Sequence, residues 1–113
     1  MKYIINKETT NNNKECFNTY LNNNKINELY NTYEYNYLFT KILETINNYN
    51  IQLYNIEITN NNLIIRLNNL LVNKDLKLNV LENLIKTLNN EFSISYYSYK
   101  DYLFIIEIEI NFY

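Results

Sequence analysis

The chain contains no glycine and no proline. Those two residues normally punctuate a fold, because glycine supplies left-handed backbone at turns and proline stops helices. A chain without them must find its turns among residues that tolerate positive φ, and asparagine is the foremost of these. Here there are 26 Asn, many of them in runs: Asn11-Asn12-Asn13, Asn22-Asn23-Asn24, Asn47-Asn48, Asn60-Asn61-Asn62 and Asn89-Asn90. Each run is expected to mark a loop or the end of an element. Ala, His and Trp are also missing, while Ile (16) and Tyr (13) are abundant. Asn, Ile, Tyr and Lys share AT-rich codons, so much of this bias is expected to reflect an AT-rich genome.

A length of 113 residues fits one domain, 1–113, with an Asn-rich, weakly patterned segment at about 7–31. The hydrophobic fraction of 47% and net charge of −2 suit a globular chain rather than a disordered one. The same charge excludes a polybasic membrane-surface segment and offers no electrostatic case for a strongly basic nucleic-acid binder. Without His there is no Ser-His or Cys-His dyad and no imidazole metal ligand. Without Gly there is no phosphate-cradling loop. Cys16 is alone, so neither an intrachain disulfide nor a thiol-built zinc site is available, and a small apolar filler is its expected role. No run approaches the length of a membrane span, and no signal peptide is expected. A cytoplasmic, reducing location and no cofactor follow as expectations.

Along the chain, Lys2 to Ile5 reads as a short strand. Phe17, Tyr20 and Leu21 have helical spacing, which predicts a short helix between two Asn runs. Tyr35, Leu38, Phe39, Ile42, Leu43 and Ile46 form an amphipathic stripe within a helix over 33–48. Ile51, Leu53, Ile56 and Ile58 alternate with a change of phase, which predicts a strand with a bulge near Tyr54-Asn55. Leu63 to Leu67 is the returning strand. A second helix after Asn73 carries Leu76, Val80, Leu81, Leu84, Ile85 and Leu88 on one face, with Asn73 as N-cap. Phe92, Ile94 and Tyr96 begin a strand that turns at Lys100-Asp101 into a last strand over 102–112. The expected fold is α+β, in the order β-α-β-β-α-β-β, with one sheet and two helices on one face. Leu38, Phe39, Ile42, Ile46, Val80, Leu81, Leu84 and Leu88 are its expected core. Thr45-Ile46-Asn47-Asn48 is echoed by Thr87-Leu88-Asn89-Asn90, either as an internal repeat or as shared topology with Asn bias.

Three features invite a functional reading. Glu107 and Glu109 share a strand face at a spacing that acid–base or metal chemistry could use, although strand alternation alone explains them. Tyr33, Tyr35 and Tyr37, with Tyr96, Tyr97, Tyr99 and Tyr102, form two clusters. Such rings either pack across strands or anchor a partner. Lys74, Lys77 and Lys86 lie on the second helix and Arg66 on the strand before it, where cations either hold phosphates or solvate a surface. On these features alone, a small interaction module (an inhibitor or adaptor using a Tyr-rich surface) is one reading.

A family resemblance supplies the other. Asn73-Lys74, then Leu76, Val80, Leu84, Ile85, Lys86 and Asn89, then Lys100-Asp101, follow the pattern of a polar-Lys step, a Lys/Tyr/Leu helix ending at Asn and a Lys-acid hairpin turn. Lys2-Tyr3-Ile4-Ile5 is similar to the opening strand of the same pattern. Over residues 63–111 the chain resembles the eukaryotic large-subunit ribosomal protein twenty-two family (the e-type one), with Glu82 and Asn83 where that family has paired lysines. The resemblance implies a non-catalytic structural constituent of the cytosolic large ribosomal subunit. It would dock on rRNA through the second helix, with Lys74 and Lys86 at the family's lysine positions and Lys77 and Arg66 nearby. Its implied partners are rRNA and neighbouring ribosomal proteins, with no membrane and no small-molecule substrate.

Overall fold

Asparagine takes over the positions where glycine would ordinarily sit. The structure, a computed structural model, describes residues 13–68, 74–100 and 103–110, excluding the side chains of 74–78, 95, 96, 99 and 100. Within it, the non-glycine residues with positive φ are Asn50 (55°) and Asn60 (54°). Helix α3 (Tyr33–Asn48) ends in a Schellman-type closure: the Ile51 N–H donates to the Ile46 carbonyl at 2.9 Å, and left-handed Asn50 makes the turn possible. Asn60 opens the two-residue connection between β1 (Gln52–Thr59) and β2 (Asn62–Asn68), whose closing pair is Thr59 and Asn62.

Other Asn and Thr side chains start helices. The Asn23 side chain accepts from the N–H groups of Lys25 (2.9 Å) and Ile26 (3.2 Å), capping α2 (Asn24–Tyr30). Thr32 caps α3 by accepting from the Tyr35 N–H, and Glu34 complements the positive end of that helix. This capping explains the main departure from expectation. The segment read as Asn-rich and weakly patterned is helical over 13–20, designated α1, where the spacing of Phe17, Tyr20 and Leu21 predicts a short helix, and again in α2, which was not expected. Phe17, Ile26 and Leu29 from this segment are buried in the core. The run Asn22-Asn23-Asn24 acts as a cap and a short joint between helices rather than as a loop.

The described chain therefore runs α1-α2-α3-β1-β2-α4-β3-β4, with α4 at Lys74–Asn89, β3 at Ile94–Lys100 and β4 at Leu103–Glu109. The order β-α-β-β-α-β-β is not what is found, because three helices precede β1 where one was expected. The anticipated strand at Lys2–Ile5 and the Asn73 cap lie outside the described residues. The class holds: it is α+β, with helices on a four-stranded antiparallel sheet of order β1-β2-β4-β3.

A bulge between Leu53 and Asn55 restores phase in β1, so Leu53 and Ile56 pair with Leu67 and Ile65 on the same face. That face, with Leu63, Phe104, Ile106 and Ile108, forms one core with Phe39, Ile42 and Ile46 of α3 and Leu81, Leu84 and Leu88 of α4. Seven of the eight expected core residues are buried; Val80 is half-buried, one position off the centre of its stripe. Ile64 is also buried but lies outside this cluster, because strand alternation turns it to the other side of the sheet.

The buried polar residue among those described is Asn13, 2% exposed. Its amide donates to the Ile51 carbonyl (2.8 Å) and to Asn47 Oδ1 (2.9 Å), and its Oδ1 accepts from the Leu53 N–H (2.8 Å). The side chain thus pairs with the start of edge strand β1 as a residue of an added strand would. Among the described residues, no helix is long and apolar enough to cross a membrane.

Two substitutions test this packing. Leu84→Ala should cost about 2–5 kcal/mol in urea unfolding, whereas a loss below about 0.5 kcal/mol would place Leu84 outside the core. Asn60→Ala should cost about 1 kcal/mol, since alanine has no polar side chain to offset left-handed strain, and Asn60→Gly should not destabilise.

Candidate interaction surface

The cations singled out in the sequence do not form one patch. Arg66 lies in β2 between Ile65 and Leu67, so it points to the sheet face opposite the helices. There its guanidinium donates to Asn55 Oδ1 (3.1 Å) and forms an ion pair with Glu57. The pair is partly exposed and contributes under about 1 kcal/mol, but it engages the charge locally. Lys86 is exposed in the last turn of α4, a helix packed on the other face of the sheet. Lys74 and Lys77 occupy the first turn of α4, and their side chains lie outside the described part. Arg66 and Lys86 are therefore on opposite sides of the sheet.

Glu107 and Glu109 occupy the strand positions opposite buried Ile106 and Ile108, as alternation predicts. No group of three or more metal-ligating side chains is present among the described residues.

Clefts lined by described residues flank α3 on two sides. The first, about 210 Å³, lies between α3 and α4 and is lined by Lys41, Thr45, Val80, Asn83 and Thr87 among others. Thr45 and Thr87 spend their hydroxyl protons on the carbonyls of Lys41 (2.9 Å) and Asn83 (3.0 Å), four residues back in each helix. The second cleft, about 240 Å³, is lined by Tyr33, Glu34, Tyr37, Glu91 and Phe92. Tyr33 and Tyr37 are one turn apart on α3 and are 91% and 40% exposed. Tyr35 turns the other way and packs on Phe92 with ring centroids 5.5 Å apart. Phe92 is fixed at the exit of α4 by its N–H bond to the Leu88 carbonyl (2.9 Å).

The tyrosine clusters of the sequence thus separate by environment. Tyr35 is structural, Tyr33 and Tyr37 face solvent, and Tyr97 in β3 is exposed while its ring lies 6.4 Å from Phe104. Tyr96 and Tyr99 have side chains outside the described part, as does Tyr102 entirely. Sequence reading missed Glu34, Glu91 and Phe92 as neighbours of Tyr33 and Tyr37. The i, i+4 spacing of the tyrosines was visible, but nothing local links them to Glu91 and Phe92.

Burial pushes the Cys16 thiol above its ordinary value. Its Sγ sits 3.7 Å from the Leu53 carbonyl, packed on the core edge, as expected of a small filler. Tyr20 is raised by burial and then by the charge of Cys16, and Tyr35 by burial and then by Glu34. No family model, curated protein or solved structure matches the chain.

These shifts give a pH prediction. A group whose folded pKa is raised contributes stability that is complete below the unfolded value and lost as pH rises through the folded one. With ordinary values of 9.0 for the thiol and 10.0 for the phenols, unfolding free energy should be level near neutrality and fall in the alkaline range above them. Cys16→Ala should remove the earliest part of that fall. Stability unchanged far into the alkaline range would contradict the burial of these groups.

Proposed function

We propose that this protein is a non-catalytic interaction module that docks on a protein partner through the tyrosine-bearing start of α3. The observation that carries this reading is the pair Tyr33 and Tyr37, two large rings left in water on a helix whose opposite face anchors the core. Aromatic side chains of this kind supply wide contact area at small conformational cost and dominate many interfaces. A photoreactive phenylalanine at position 37, expressed in the native cells, should give a discrete protein adduct, while the same group at exposed Thr59 should not. No adduct at position 37, or the same adducts at both positions, would rule the reading out.

A second reading has its own support. The order strand, helix, hairpin over 62–109 is the one that the ribosomal resemblance implies for this stretch, and α4 carries Lys74 at its start and exposed Lys86 at its end. On that reading the protein is a cytoplasmic constituent of the large ribosomal subunit, and α4 contacts rRNA phosphates without reading sequence. The Lys74→Ala, Lys86→Ala double variant should then fold normally but leave large subunits at lower salt than the parent. Equal retention across a salt series would exclude α4 as the docking element.

A further inference from the structure

The cleft at the start of α3 has a charge and an aromatic content that favour one kind of occupant. Its lining combines the carboxylates of Glu34 and Glu91 with the rings of Tyr33, Tyr37 and Phe92, and among the described residues it includes no cationic side chain. Both carboxylates are exposed, and among the described residues neither takes part in an ion pair. Ring faces carry negative potential and attract cations, most strongly where a neighbouring carboxylate adds to the field. The field of Glu34 is already felt next door, where it adds to the rise of the Tyr35 phenol.

The walls come from elements held in place independently. Tyr33, Glu34 and Tyr37 stand on a helix start fixed by the Thr32 cap. Phe92 is tied to the end of α4 and packed on Tyr35. The backbone that carries these side chains is therefore set before any partner arrives, which limits the ordering cost of binding.

We infer that this cleft receives an arginine side chain of the partner protein. The planar guanidinium can lie on a tyrosine ring while its edges donate to carboxylates on either side, a geometry the compact lysine ammonium cannot reproduce. A cleft of about 240 Å³ admits such a side chain but not a folded element. This inference rests on the reading of the protein as an interaction module, and it names the chemistry of the partner's anchor.

The test is a nuclear magnetic resonance titration of the full chain with the tripeptide acetyl-Ala-Arg-Ala-amide. The controls are the same peptide with citrulline, its neutral isostere, and with lysine. Saturable shifts should centre on residues 33–37 and 91–92, and the citrulline peptide should bind at least about tenfold more weakly. The lysine peptide should fall between them. The Glu34→Gln, Glu91→Gln double variant should lose about tenfold for arginine while keeping its fold by circular dichroism. Equal binding of arginine and citrulline, shifts spread over other surface carboxylates such as Glu44 and Glu57, or no saturable shift in the millimolar range would each overturn the inference. If the position-37 cross-link forms while the arginine peptide gives no shift, the inference falls and the interaction-module reading stands. If both fail, both fall.

Discussion

Asn13 holds the first helix, the end of α3 and the start of β1 in one buried contact. A carboxamide taken out of water without partners would cost about 1–3 kcal/mol, yet here it makes three of its four possible hydrogen bonds. Two of them go to the backbone of an edge strand, whose free N–H and C=O groups would otherwise need water at a point where the core allows none. The third reaches Asn47, just before the left-handed turn at Asn50. The junction between α3 and β1 is thus fixed from two directions, and it sets where the sheet begins relative to the helix that it carries.

The described chain contains two similar units, each a helix and a hairpin, after α2. Helices α3 and α4 are each 16 residues long, and each is followed by an antiparallel hairpin. In both helices a threonine in the last turn donates to the carbonyl four residues back, and in both a buried isoleucine or leucine follows it. The inner strands of the two hairpins, β2 and β4, pair with each other at the centre of the sheet. The units differ where they meet solvent. α3 begins with two exposed tyrosines beside the exit of α4, and the acidic aromatic cleft exists because the two helices lie side by side.

Much of this arrangement is legible in the residues. The stripe from Tyr35 to Ile46 gives the bounds of α3, and the change of phase between Leu53 and Ile56 gives the bulge, because each is a local periodicity with a single geometric solution. The Asn60 turn is legible for the same reason. The region before α3 was legible only in part: the spacing of Phe17, Tyr20 and Leu21 marks α1, but nothing marked α2. Asn favours both turns and helix caps, and only the burial of Phe17, Ile26 and Leu29 decides between them. Val80 fell in the apolar stripe of α4 but lies at its margin, since a stripe shows which side is covered and not how far the neighbouring helix reaches. The candidate site was half legible: Tyr33 and Tyr37 were singled out, whereas Glu91 and Phe92 arrive through tertiary packing. Arg66 was grouped with the lysines of α4 by closeness in sequence, and strand alternation places it on the other side of the sheet.

Amide hydrogen exchange at Leu53 reports directly on whether the Asn13 side chain closes the edge of β1. The Leu53 N–H donates to Asn13 Oδ1 rather than to a neighbouring strand. It should exchange only on global unfolding, with the protection of central-strand amides such as Ile65, and Asn13→Ala should bring it down to the level of a solvent-facing edge amide. Fast exchange at Leu53 in the unaltered protein, or protection that survives Asn13→Ala, would contradict the account.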